Sequence, residues 1–202
     1  MAETLTLKAK PRTQIGRSSV KKVRGEGQIP AVLYGKTEPK AIQLNTHEVI
    51  KAFQHIESKN FLVDLSLEDS KQSHLALVQE IQMDPLKDTV KHIDFQEVDN
   101  DKTITAEVSL HPAGEAVGVK SGGGLLEQII RSVKVECLPK ALPSHVEADI
   151  NNLELGAAMK IRDITPPEGV KILNQGELNC FIIHLPRSAR AASARAAAEA
   201  KD

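Results

Sequence analysis

Apolar residues return at every second position along much of the chain, and this period limits the fold more than any other feature. Leu5 and Leu7 alternate with polar neighbours, as do Phe61, Val63, Leu65 and Leu67. Leu75, Leu77, Ile81 and Met83 share a parity that Gln79 interrupts. The second half alternates more cleanly: Ile104, Ala106, Val108 and Leu110, then Val133, Val135 and Cys137, then Val146, Ala148 and Ile150. Short period-two runs joined by turns are half-buried antiparallel strands, so the chain is expected to be mainly β. Helices are few. Ser18 or Ser19 is placed to start a short one through Lys22 to Arg24, closed by Gly25. Thr46 is placed to cap a second, whose Val49, Ile50, Phe53 and Ile56 share a face. Leu125, Leu126, Ile129 and Ile130 suggest another brief helical turn.

The polar stretch Asp99-Asn100-Asp101-Lys102 separates two strand-rich halves. Domains are therefore expected at 1–97 and 98–186, with an alanine- and arginine-rich flexible tail at 187–202.

Charge narrows the function. The net charge of -1 conceals an asymmetry: residues 1–40 carry nine Lys/Arg against three Asp/Glu, while residues 41–98 carry five against ten. A basic leading segment on an acidic body fits either one polyanion-facing surface or a solvated flank. Aromatics make up only 2%, which argues against binding by stacking bases on exposed rings. Cys137 and Cys180 lie far apart without metal-type spacing and read as free thiols in a reducing compartment. The opening Met1-Ala2-Glu3-Thr4-Leu5 has no apolar leader, and no run approaches the ~20 apolar residues of a membrane span. A soluble, cytoplasmic protein with no membrane partner is expected.

Enzyme-like features fail on spacing. Gly114-Glu-Ala-Val-Gly118-Val-Lys120-Ser121 departs from the phosphate-loop pattern because its lysine does not follow the glycine directly. Gly122-Gly123-Gly124 reads as a flexible turn. Cys180 and His184 lie on one strand face but too far apart for hydrogen-bond contact, and Cys180 reads as a small core residue. Seven histidines form no H-E-x-x-H or comparable pair. No catalytic residue, metal site, cofactor or small-molecule substrate is expected.

What remains is polar and lies in the first half. Arg12, Arg17, Lys21, Lys22 and Arg24 form a basic run around the first short helix. In His92-Ile93-Asp94-Phe95 a strand turns the imidazole and carboxylate one way and the two apolar side chains the other. Two readings fit. The pair forms a surface hydrogen bond on a sheet edge, or it reads nucleic acid, with Asp94 accepting from a base amino group or ribose hydroxyl or orienting His92.

Taken in order, Arg12, Lys21-Lys22-Val23-Arg24, Ile29-Pro30-Ala31-Val32-Leu33-Tyr34-Gly35, Val78-Gln79, Asp84-Pro85 and His92-Ile93-Asp94-Phe95 resemble one family. It is the bacterial large-subunit ribosomal protein that binds 5S rRNA, in its long form, the general stress protein CTC family. Gly122-Gly123-Gly124, Leu138-Pro139-Lys140-Ala141-Leu142-Pro143, the stretch from Val146 to Leu155 and Pro167-Glu168-Gly169-Val170 resemble the extra domain of that form. The resemblance spans residues 5–185 and leaves the tail unassigned. It implies an N-terminal antiparallel β-barrel docked on 5S rRNA largely through the minor groove, followed by a β-rich C-terminal domain. It further implies that Arg12, Lys21, Lys22 and Arg24 meet phosphates and that Tyr34, Gln79, His92 and Asp94 sit at the groove. Arg17, Ser19 and Lys36 complete the candidate RNA-binding set. Lys21 and Lys22 stand where many members have arginines, which keeps charge but loses bidentate phosphate geometry. The expected role is that of a non-enzymatic component of the large ribosomal subunit, monomeric when free. The alternative is a ribosome-independent, stress-related adaptor that binds proteins through its acidic C-terminal half.

Overall fold

The alternating runs become strands in a computed structural model that describes residues 5–36, 38–54, 56, 58, 60–68, 73–87 and 89–185. The opening four residues and the tail from 187 lie outside that set. Six strands close a barrel: β1 (Leu5–Pro11), β2 (Gln28–Tyr34), β3 (Lys40–Asn45), β4 (Leu62–Leu67), β5 (Ser73–Asp84) and β6 (Thr89–Glu97). Their order is β1-β3-β2-β6-β5-β4, with β4 returning to β1. The ladders are antiparallel except β1–β4 and β2–β6, which are parallel. The strand pairs that follow one another in sequence are antiparallel, and the two parallel ladders join strands distant along the chain, where no tight turn sets direction. Closure removes every edge from this sheet.

Alternation fills the interior. Ile29, Ala31 and Leu33 of β2, Ile42 and Leu44 of β3, Val63 and Leu65 of β4, and Ile93 and Phe95 of β6 are all buried in one cluster. On β5 the parity is not the expected one. Ala76 and Val78 join the core, whereas Leu77 is buried on the opposite face and Leu75 is half-buried. Val78 pairs with Phe95 but Glu80 pairs with Asp94, so Gln79 is the extra residue of a β-bulge and the parity shifts across it. Beyond the bulge Ile81 packs against the core, as expected.

Two helices border the barrel. The first, α1 (Arg17–Gly25), packs against β2 and buries Val23. Its N-cap is Gly16, without a side-chain cap, rather than either serine. The second, α2 (Thr46–Phe53), begins at Thr46 but is capped by Asn45, whose Oδ1 accepts from the His47 N–H at 2.9 Å. Val49 enters the core, and Phe53 meets Phe61 edge-on with centroids 4.8 Å apart.

The rest of the chain is also mostly strand. A four-stranded sheet has the order β10-β7-β9-β12, from β7 (Ile104–Ala113), β9 (Ser132–Cys137), β10 (His145–Asp149) and β12 (Val170–Ile172). A three-stranded sheet has the order β11-β13-β8, from β8 (Leu125–Gln128), β11 (Ala158–Lys160) and β13 (Asn179–His184). The apolar positions expected on β7, β9 and β10 are all buried. The helical turn expected at Leu125–Ile130 is instead β8, because Leu125 to Gln128 pair with His184 to Phe181. Before it, a four-residue helix, α3 (Val117–Lys120), leads into the glycine turn. A Cβ on Gly124 would come within 2.6 Å of Ile183 Cγ2, so close packing explains a glycine there. Cys180 is fully buried and donates to the Met159 carbonyl at 3.1 Å, and burial raises both its thiol pKa and that of Cys137.

By compactness the chain falls into two units. One gathers the described residues up to Ser109 with Lys134–His145 and Pro167–Lys171. The other gathers Leu110–Val133, Val146–Pro166 and the described residues from Ile172 on.

Candidate nucleic-acid interface

The registers of four barrel strands, extended by the residue just past a fifth, assemble a row across the outer surface. The amide of Arg12, just past β1, donates to Ala41 O at 2.9 Å. Ala41 pairs with Val32, Val32 with Asp94, and Asp94 with Glu80. Inward-pointing Ala31 and Leu33 bracket Val32, and Ile93 and Phe95 bracket Asp94, so these two side chains point out and their cross-strand partners Ala41 and Glu80 share that face. One step along the strands lie Tyr34 beside Gln96 and, on the other side, His92 beside Gln82.

His92 and Asp94 form a pair, with Nδ1 to Oδ1 at 2.8 Å and both side chains about one-quarter exposed. Since β6 lies inside a closed sheet, the edge placement considered from the sequence does not hold. Asp94 faces Glu80 directly, an unfavourable juxtaposition of carboxylates that the imidazole partner offsets. Burial, then Asp94 and then Glu80, raise the Tyr34 hydroxyl above its ordinary pKa. At neutral pH it is therefore a donor set among acceptors.

Helix α1 docks at one border of this patch. Arg24 Nε and Nη2 both donate to the Lys91 carbonyl, at 3.2 and 2.8 Å. That carbonyl is available because Lys91 is itself the extra residue of a second irregularity, where Gln82 pairs with His92 but Met83 with Val90. Arg17, Lys21 and Arg24 recur at helical spacing, so one stripe of the helix is basic and ends beside His92. Lys21 and Lys22 are exposed. Ser19 has a local role, its hydroxyl donating to Gln14 O at 2.9 Å.

Not every candidate joins the patch. Lys36 Nζ lies 2.7 Å from Asp99 Oδ1, a contact that raises the lysine and lowers the carboxyl from their ordinary pKa values, and Asp99 also holds Lys102 at 2.9 Å. Arg12 sits in the row, but its Nε and Nη1 are buried without hydrogen-bond partners. Gln79 is exposed at its bulge, and its carbonyl accepts from Asn60 Nδ2 at 2.9 Å.

Chemically the surface offers donors and acceptors at short reach, bordered by fixed cations. Residues 7–95 match the ribosomal L25p family, and residues 103–187 match the C-terminal domain of ribosomal protein TL5. Large ribosomal subunit protein bL25 of Natranaerobius thermophilus is 37% identical over 183 residues, covering 90% of this chain and 84% of its own length. General stress protein Ctc of Bacillus subtilis is 41% identical over 160 residues, covering 79% and 76%. The chain belongs to the ribosomal L25p family. As an L25p-family member it is a structural ribosomal protein and not an enzyme.

Two residues of this L25p-family chain escape sequence reasoning. Glu80 becomes Asp94's neighbour only through the barrel register. Asn60, 5% exposed, holds the Gln79 bulge: its amide donates to Val78 O at 2.7 Å and Gln79 O at 2.9 Å, and its Oδ1 accepts from the Glu107 amide at 2.7 Å. Removing Gln79 would close the β5–β6 ladder between Val78 and Glu80 with the same residues inward. Deleting it is therefore expected to leave a folded barrel, less stable by about 1 kcal/mol for one lost Asn60 bond. Thermal melts followed by circular dichroism check this, and cooperative unfolding lost altogether would show that the bulge is structural.

No helix among the described residues is long and apolar enough to cross a membrane.

Proposed function

We propose that this protein binds 5S rRNA in the large ribosomal subunit, within the cytoplasm, as a monomer when free. The basic stripe of α1 captures the phosphate backbone, and the outward row reads an RNA groove. The observation that carries the reading is the barrel register, which sets Arg12, Tyr34, His92 and Asp94 on one surface beside α1. A-form RNA exposes a wide, shallow minor groove lined with 2′-hydroxyls and base edges. A surface of glutamines, an imidazole, a phenol and carboxylates supplies both halves of the hydrogen bonds such a groove needs. Stacking aromatics are not required, in keeping with the composition. A relative named as a large ribosomal subunit protein supports the subunit assignment. Residues 1–97 are the RNA-binding part and 98–186 a second domain, a division supported by family matches that stop at 95 and resume at 103.

The test is a gel-shift titration of the full chain against 5S rRNA and an unrelated structured RNA of similar length at one salt concentration. A preference of roughly 100-fold or more for 5S rRNA is expected. Equal affinities would reduce the surface to a general polyanion binder. Co-sedimentation of native protein with large subunits separates the ribosomal role from a free adaptor, which would stay at the top of the gradient.

A further inference from the structure

Among the described residues, the buried polar side chains are Ser58 and Asn60. Asn60 lies just before β4, where the chain already runs alongside β5 and the Val78 amide donates to Phe61 O at 2.9 Å. Its side chain there does the work of main chain. The amide nitrogen donates to Val78 O at 2.7 Å and to Gln79 O at 2.9 Å, and Oδ1 accepts from the Glu107 amide of β7 at 2.7 Å. Two carbonyls on one side and an N–H on the other fix which end of the amide faces which. Asn60 and Glu107 belong to the same compact unit.

A bulge re-aims the residues that follow it. Here those are Glu80 and Gln82, the partners of Asp94 and His92 on the outward face. Glu80 stands opposite a second carboxylate, an arrangement that repulsion works against. The backbone at the bulge must therefore be held, and the bonds of Asn60 hold it. We propose that Asn60 is a positioning residue for the RNA surface: anchored on β7, it fixes the Gln79 bulge so that Glu80 and Gln82 stay in line with Asp94 and His92. The inference rests on the 5S rRNA reading and extends it. A strand from the segment that matches the second family domain takes part in RNA recognition through a buried residue that RNA does not reach.

The test compares Asn60→Ala, deletion of Gln79, and the two combined, all in the full chain and at a temperature where circular dichroism shows each folded. Asn60→Ala is expected to bind 5S rRNA about tenfold more weakly with the salt slope unchanged, because no phosphate contact is lost. In the free protein the imidazole resonances of His92, on the strand beyond β5, should move with it. Without Gln79 there is no bulge to hold. Whatever the deletion itself costs, adding Asn60→Ala to it should change affinity by less than about twofold and leave the His92 resonances in place. A residue that only stabilises the fold would weaken binding equally in both backgrounds, and that result would overturn the proposal. So would an Asn60→Ala protein with wild-type affinity or with His92 unmoved. Should Asn60→Ala not fold, Asn60→Ser, whose hydroxyl donates to one of the two carbonyls, takes its place; a loss of about threefold is expected, and wild-type affinity would overturn the proposal. Failure of the wild type to bind 5S rRNA would count against the RNA reading alone, with the His92 resonances still deciding the positioning.

Discussion

Replacing His92 with alanine is expected to weaken 5S rRNA binding by about 10- to 100-fold while leaving the salt dependence of binding unchanged. A hydrogen bond to a charged group contributes about 1.5–3 kcal/mol, and each ~1.4 kcal/mol is a factor of ten. The variant loses the imidazole proposed to read the groove and also strips Asp94 of its partner at 2.8 Å. Asp94 would then face Glu80 without its imidazole partner, on the surface proposed to meet RNA. Both effects act in the same direction.

The cations of α1 are expected to behave differently. Lys21→Ala or Lys22→Ala should each reduce the slope of log affinity against log salt by about 0.7–0.9, the signature of one lost phosphate contact. Arg24 is a mixed case, because its guanidinium already docks the helix on Lys91 O. Filter binding across a series of potassium chloride concentrations distinguishes these roles. An equal fall in slope for His92→Ala and Lys22→Ala would show that His92 acts as a phosphate cation rather than as a reader.

The outward row of the barrel was partly legible in the sequence. Period-two patterning on β7, β9 and β10 named their buried residues, and the His92–Asp94 face followed from the same rule. What failed was parity across a bulge. Gln79 is inserted opposite no partner because an amide from Asn60 holds its carbonyl, and nothing in the local pattern records that bond. At Leu125 to Ile130 the apolar spacing serves a helix or a strand equally, and pairing with β13 decided it. Asn45 and Thr46 are adjacent, both good caps, and the choice between them rests on backbone angles. Lys36 shows the limit for charges: composition put it with the cations, but Asp99, distant in sequence, already neutralises it.

Phe95→Ala is expected to destabilise the barrel by about 3–5 kcal/mol, a large part of the ~5–15 kcal/mol that holds a typical domain together. Phe95 is fully buried and pairs with Leu33 on one side and Val78 on the other, both fully buried or nearly so. Truncation removes a ring from the strand whose other face carries His92 and Asp94, and the cavity left behind cannot be filled from a closed sheet. Urea denaturation should show a lower midpoint with little change in slope. Phe95→Leu keeps most of the volume and is expected to cost less than Phe95→Ala. RNA affinity in both variants should fall only in proportion to the unfolded fraction, because the outward row depends on the register and not on the ring. A Phe95→Ala protein that stayed fully folded yet lost 5S rRNA binding would mean that the ring itself sets the position of the His92–Asp94 pair.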